Sequence, residues 1–369
     1  MLKPLTSFRF IAAAGVVLAH FGYPSKTGGL AVGFFFTLSG FILAYNYADK
    51  FHTLKASDVA KFWALRVARI WPLHVVMFLA VLPLVWMRGT QYTDWQAFAN
   101  LSLLHAWYPD GENIFSYNGV SWSISDELFF YMALPFLLVG LHKLGISRSV
   151  WKAALALVVT FGVMFLIALV LRTQIKVFNT SWWLMMVSPY VRILDFIIGV
   201  CLGLIFLRLQ NARRTVLDLP LFTLLEVGSL ALLAVLYVST WHKWPTLENS
   251  AYYQPAMVAI ILVFAFQRGA LSALLSNKVM THLGEISFAL YMVHQPILFY
   301  ADRLIGPTIM VAKDLDHIWG QVLLTVLMLA LSDCAYRYIE VPARNAVRAM
   351  VSSRRTAVDA GFSARGAHE

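Results

Sequence analysis

Apolar residues in this chain neither alternate nor form narrow stripes; they come in long runs broken by short polar stretches. Ten runs stand out, at residues 5–21, 30–48, 68–88, 119–144, 150–171, 184–207, 220–240, 252–268, 284–303 and 317–340. A helix crosses the hydrocarbon of a bilayer in about 20 residues. The pattern therefore predicts an all-α polytopic membrane protein of about ten transmembrane helices. A transmembrane barrel would instead show about ten-residue segments of alternating hydrophobicity. The weakest spans are the first, which is short and holds Arg9, and the fourth, which holds Asp126 and Glu127. Residues 92–107 carry apolar positions at near-helical spacing and read as an interfacial segment. Residues 1–345 form one transmembrane domain. Residues 346–369, basic and rich in Ser and Ala towards the end, read as a disordered tail.

Composition agrees. Hydrophobic residues make up 60% of the 369 and charged residues 13%, against roughly 45–50% and about 25% in soluble domains. That excludes a soluble globular protein and a disordered chain. Cys201 and Cys334 both lie within apolar runs, so no disulfide framework is expected. The net charge of +10 could point to nucleic acid, but its distribution points to topology. If the N-terminus is cytoplasmic, 21 of the 29 Lys and Arg fall in inner segments, 7 in outer ones, and Arg192 within a span. Cytoplasmic segments carry such an excess in bilayer proteins, so both termini are expected in the cytoplasm, in a bacterial inner membrane. A competing reading takes the start as a secretory signal, with Lys3, the run 10–19 and a cleavage site at Val17-Leu18-Ala19. Cleavage would remove Arg9 and spoil the charge asymmetry.

An ionisable side chain inside a span is costly and marks function by default. Here these are Arg9, His20, Asp126, Glu127, Arg192, Asp195, His294 and Asp333. Arg9 and His20 are 11 residues apart, so they share a helix face about 16 Å apart along the axis. A guanidinium can hold phosphate, and an imidazole can take a proton near neutral pH. The bland alternative has Arg9 reaching lipid headgroups and His20 bonding a neighbouring helix.

Five further segments follow in order: Ser39-Gly40-Phe41, Arg66-Val67-Ala68-Arg69, Ser121-Trp122-Ser123-Ile124-Ser125-Asp126-Glu127, Tyr291-Met292-Val293-His294-Gln295-Pro296, and Tyr338-Ile339-Glu340-Val341-Pro342. With Arg9 and His20 as its Arg-x10-His element, the set resembles the membrane-bound acyltransferase-3 family over about residues 5–345. Members O-acylate sugars of exported glycans and some antibiotics. Two positions depart from the family pattern: Phe288, where Tyr is common, and Asp126, where an apolar residue is usual. The second leaves open which of Asp126 and Glu127 matters.

The resemblance implies an enzyme that takes an acyl group, most simply acetyl, from cytoplasmic acyl-CoA. The acceptor would be a hydroxyl of a sugar or lipid-linked glycan. It implies no metal and no cofactor beyond the donor. His20 would be general base or acyl carrier, with Glu127 assisting it. Arg9, Arg66 and Arg69 would hold the donor, and Ser123 and His294 would contact substrate. Arg66 and Arg69 share a helix face, though both also fit plain positive-inside topology. Ser123 and Glu127 share a face too, and Glu127 has a structural alternative in a pair with Arg192. Pro296 is expected to interrupt hydrogen bonding within the ninth helix and free backbone groups. His105-Ala106-Trp107-Tyr108-Pro109-Asp110 matches a glycerolipid-acyltransferase His-x4-Asp pattern, but the glycine-rich phosphate motif that should follow is missing. From another class, a secondary transporter or flippase would also carry intramembrane charges, but the paired halves common in transporters are not evident.

Overall fold

A computed structural model describes residues 2–23, 26–171, 174, 176, 179–211, 215–239, 250–306 and 315–351. Every regular element among them is helical. The main helices are α1 (Lys3–His20), α2 (Lys26–Tyr47), α3 (Ala56–Met87), α4 (Asp94–Leu101), α5 (Gly111–Ile114), α6 (Trp122–Lys143), α7 (Val150–Leu171), α8 (Thr180–Met186), α9 (Pro189–Leu209), α10 (Asp218–Ser239), α11 (Ser250–Ala265), α12 (Ala270–Leu275), α13 (Lys278–Glu285), α14 (Ser287–Ile305) and α15 (Leu315–Ala335).

Among the described residues all ten apolar runs contain helix, but seven helical stretches there are long and apolar enough to cross a membrane. The other three have physical reasons to fall short. α1 carries Lys3, Arg9 and His20, α14 carries His294, Asp302 and Arg303, and α11 has 16 residues. Helix ends also differ from the sequence reading. The run 184–207 is divided between α8 and α9 around Ser188, whose side chain accepts from the Tyr190 amide. The run at 317–340 passes through a π-helical turn at Tyr336–Glu340 and stays helical to Val351. The first six residues assigned to a disordered tail are thus helical; 352–369 lie outside the described residues, as do Arg172, Arg213, Arg214, Lys243 and Lys313 of the charge count. The expected interfacial segment contains the short helix α4, opened by a reciprocal cap between Thr93 and Gln96.

α9 sits at the centre. In the stretch that contains it, 72% of the apolar window is buried, against 11% for α7 and for α10. Those two display Leu and Val outwards, at Leu155, Val158, Leu166, Leu224 and Val235 among others, as a lipid-facing helix should. α2 and α9 meet backbone to backbone. A Cβ on Gly40 would lie 2.0 Å from the Phe196 carbonyl oxygen, and one on Gly199 1.9 Å from that of Thr37. Small residues allow such approach in a bilayer, where dispersion rather than water exclusion drives helix association. Gly284 plays the same part between α13 and α1, with Thr6 oxygen 2.0 Å from a built Cβ.

α14 does not break at Pro296; it runs on to Ile305. The proline still frees the Met292 carbonyl four residues back, and Asn118 Nδ2 donates to it at 3.0 Å. Pro135 in α6 is handled alike: the Tyr131 carbonyl accepts from Trp63 Nε1 at 3.2 Å. Side chains of neighbouring elements thus satisfy backbone groups that lipid could not. Gln295 Oε1 accepts from the Val120 amide at 2.8 Å, which ties α14 to the 3-10 turn Gly119–Ser121 that opens α6.

Candidate active site

Two cavities lie along α1. One, of about 270 Å³, is lined by Arg9, Ser39, Arg66, Arg69, Ser123, Glu127 and Tyr131 among others. The second, of about 430 Å³, is lined by His20, Arg192, Gln295 and the rings of Phe115, Trp122 and Trp182 among others. Val32 and Tyr291 line both and form the wall between them. Arg9 and His20, on one face of α1, thus open into different chambers.

In the arginine cavity, α1 supplies Arg9, α3 supplies Arg66 and Arg69, and α6 supplies Glu127. Three guanidiniums face one carboxylate. The Arg66 guanidinium packs over the Tyr47 ring, 5.7 Å from its centroid, and its buried Nε has no hydrogen-bond partner. Glu127 accepts from the Tyr131 hydroxyl and, at 3.3 Å, from the Ser39 hydroxyl. Glu127 faces the arginine cavity, so the structure does not bring it onto the His20 side of the wall. Nor does it pair with Arg192, whose carboxylate partner is Asp195, 3.0 Å away on the same helix. Asp126 is fully buried, lines neither cavity, and has no hydrogen bond to either carboxylate oxygen. Of the two adjacent carboxylates, the one that faces a cavity is Glu127.

The wall is held by hydrogen bonds. Tyr291 donates to the Val120 carbonyl at 2.9 Å and its hydroxyl lies 2.7 Å from the Ser123 hydroxyl. Ser123, assigned from sequence to substrate contact, therefore also fixes the partition.

In the histidine cavity, His20 is half-buried and its Nδ1 lies 2.9 Å from the Val16 carbonyl. A carbonyl only accepts, so Nδ1 carries the hydrogen and Nε2 keeps its lone pair. That is the form a general base or acyl carrier needs. His294 is fully buried and lines neither cavity; its Nε2 lies 3.4 Å from His20 Nδ1 and the rings meet edge to face. Sequence reasoning missed this pairing, because nothing in two distant apolar runs says that α1 and α14 bring their histidines together. It also missed Tyr291 as a partition and Tyr131 as the partner of Glu127. The i, i+4 spacing of Glu127 and Tyr131 was the one signal available.

His105 and Asp110 are used structurally. His105 is fully buried, with Nε2 3.1 Å from the Ser121 hydroxyl and its ring parallel to that of His74. Burial first, and the neighbouring His74 next, hold its imidazole down to about 3. Asp110 caps α5 by accepting from the amides of Glu112 and Asn113.

Comparison with known proteins follows the same lines. An acyltransferase MdmB from Streptomyces mycarofaciens is 29% identical over 331 residues, covering 83% of this chain and 81% of its own. The O-acetyltransferase OatA of Staphylococcus aureus is 22% identical over 93% of this chain, and the peptidoglycan O-acetyltransferase OatA of Listeria monocytogenes 24% over 92%. The chain spans only 57% and 55% of those two proteins. No solved structure matches it. The model of the acyltransferase-3 type, described as an acyltransferase domain, matches residues 5–337, from the helix that bears Arg9 and His20 to the π-helical turn after α15, and the chain belongs to that family.

Proposed function

We propose that this protein is a multi-pass inner-membrane O-acyltransferase that moves an acetyl group from cytoplasmic acetyl-CoA to a hydroxyl of a sugar or exported glycan. The observation that carries this reading is the division of α1 between two cavities, cationic at Arg9 and imidazole-bearing at His20, separated by Val32 and Tyr291. The donor is a nucleotide whose phosphates sit at one end of a long arm and whose thioester sits at the other. Guanidiniums are suited to phosphate oxygens, and three of them line one cavity. The aromatic rings around His20 are suited to the faces of a sugar. In the general-base form, His20 Nε2 takes the acceptor hydroxyl's proton while that oxygen attacks the thioester carbonyl. The carbon–sulfur bond breaks, and the thiolate recovers the proton from the imidazolium. In the carrier form, Nε2 attacks first and expels the thiolate; the hydroxyl then attacks the acyl carbon, the carbon–nitrogen bond breaks to restore the neutral imidazole, and the hydroxyl's proton passes to the thiolate.

This reading requires ten crossings with both termini cytoplasmic, supported by the 21:7 distribution of Lys and Arg. Reporter fusions after residues 55 and 211 should read cytoplasmic and one near 113 should read external; a cytoplasmic reading at 113 would overturn the topology. The function itself is tested with protein purified into nanodiscs and acetyl-CoA labelled on the acetyl carbon. Label should pass to sugar-bearing acceptors with release of free thiol. Movement of a glycan across proteoliposomes with no label transfer would favour a transporter instead.

A further inference from the structure

We propose that His294 is a positioning residue for His20, accepting the hydrogen on its Nδ1 so that Nε2 is held as the reactive nitrogen; this rests on the acyltransferase reading above and deepens it. Each ring is tied to the carbonyl four residues before it on its own helix: His20 Nδ1 to Val16 at 2.9 Å, and His294 Nδ1 to Leu290 at 3.2 Å. Both tautomers follow from the chemistry, since a carbonyl cannot donate. His294 Nε2 is then a bare lone pair, and it faces His20 Nδ1 at 3.4 Å. The hydrogen on His20 Nδ1 is shared between a backbone oxygen and a buried imidazole nitrogen.

Two consequences follow. The His20 ring cannot turn over without stranding that hydrogen, so Nε2 stays aimed at the cavity. A positive charge arising on His20 during turnover also strengthens both hydrogen bonds it donates, because bonds from a charged donor are the stronger kind. His294 itself cannot share the charge cheaply. It is fully buried, its Nδ1 hydrogen is committed to Leu290, and a second hydrogen on Nε2 would point straight at that of His20. Of the two rings, His20 is the one open to the cavity. Around it, Tyr291 lies with its ring 5.9 Å from that of His294, and Arg192, paired with Asp195, lines the same cavity as His20. Among the described residues, the bonds present give His20 Nδ1 the Val16 carbonyl and His294 Nε2 as its acceptors. The 3.4 Å separation is long for a formed hydrogen bond, as is common before substrate draws such contacts together.

The test separates hydrogen bonding from packing. Gln can place its carbonyl oxygen near the position of His294 Nε2, Asn falls about one atom short, and Leu fills the space without an acceptor. If His294 positions His20, H294L and H294N should lose about 10- to 100-fold in kcat, as removal of a hydrogen bond from a charged group does. H294Q should recover most of it, and the KM for acetyl-CoA should hold in all three. A packing role predicts the reverse order, with Leu tolerated best; that order, or three variants equal to the parent, would overturn the proposal. H294N and H294Q are similar in polarity and volume, so their comparison stands even if H294L fails to fold. A second readout needs no acyl transfer. Carbethoxylation of His20 by diethyl pyrocarbonate, followed by mass spectrometry, reports the availability of its Nε2. Slower labelling in H294L and H294N than in H294Q supports the pairing even if the parent protein transfers no acetyl group, in which case the functional reading alone falls. Equal labelling in all variants sinks the pairing and leaves the acyltransferase reading standing.

Discussion

The two cavities differ in what they ask of a ligand. The arginine cavity is the smaller, at about 270 Å³, and sets three guanidiniums against Glu127. It is suited to a polyanion. The histidine cavity, at about 430 Å³, carries its permanent charge on Arg192, which Asp195 already balances at 3.0 Å. It is suited to a ring with flat faces and hydroxyls. One helix, α1, serves both, and a wall of two side chains keeps them apart. On the proposed reading a charged donor is bound in one place and a neutral acceptor handled in the other, so mutations on the two sides should fail in different ways.

The largest effect should come from His20. His20→Ala should abolish measurable acyl transfer, since loss of a general base alone costs about 10²–10⁴-fold, while leaving acetyl-CoA affinity within about twofold. Isothermal titration beside a transfer assay reads both numbers. Near-normal turnover would remove His20 from the chemistry and make Glu127 the next candidate. On the other side of the wall, Arg66→Ala with Arg69→Ala should weaken acetyl-CoA binding at least about a hundredfold, each lost charge-assisted hydrogen bond being worth about 1.5–3 kcal/mol. The kcat at saturating donor should change far less. Unchanged affinity in the folded double variant would reduce both arginines to topology signals.

A second histidine pair sharpens the contrast. His74 and His105 stack with ring centroids 6.4 Å apart and interplanar angle 5°, both fully buried and lining neither cavity. His105 is held down to about 3 by burial, against an ordinary value near 6.5. An unfolded chain therefore binds this proton before the folded one does. Stability should be steady above about pH 6.5 and fall as the pH drops from there towards 3, by about 2 kcal/mol at pH 5 from this residue. Thermal midpoints in detergent at pH 7 and pH 5 measure it. His105→Gln should shrink the difference; an unchanged pH dependence in that variant would place the acid sensitivity elsewhere.

How much of this was legible in the sequence depends on the kind of interaction. Helices in lipid announce themselves by apolar length, so all ten runs were found. Arg9 and short length marked α1 as a weak span, but nothing marked α14 as too polar or α11 as too short, and the run holding Asp126 and Glu127, read as equally weak, is apolar enough to cross. Separation along one helix was calculable, and it placed Arg9 and His20 too far apart to share a reacting centre. Contacts between helices were not calculable. The pairing of His20 with His294 spans 274 positions, and the bond from Asn118 that relieves Pro296 spans 174. Such pairings follow from how helices cross, and crossing here is set by Gly40, Gly199 and Gly203, where backbones touch. Gly40 stands in the Ser39-Gly40-Phe41 segment quoted from the sequence; its partners on α9 stand in no quoted segment.

The smallest expected effect concerns the wall itself. Tyr291→Phe removes a hydroxyl that donates to the Val120 carbonyl and meets Ser123. The carbonyl is not orphaned, because the Ser123 hydroxyl already lies 3.2 Å from it and can donate alone. The net loss is then that of one ordinary hydrogen bond, about 1 kcal/mol, and the ring still divides the cavities. Transfer should fall by no more than about fivefold. Tyr291→Ala is the informative companion, because it takes away the ring and opens one chamber into the other. Water in the merged chamber then reaches the thioester where it meets His20, so hydrolysis of acetyl-CoA should rise relative to transfer. The ratio of free thiol released to acetyl groups transferred is the measurement. If Phe and Ala shift that ratio equally, the separation depends on the hydroxyl and its hydrogen bonds; if only Ala does, it depends on the ring, as the geometry of the two cavities requires.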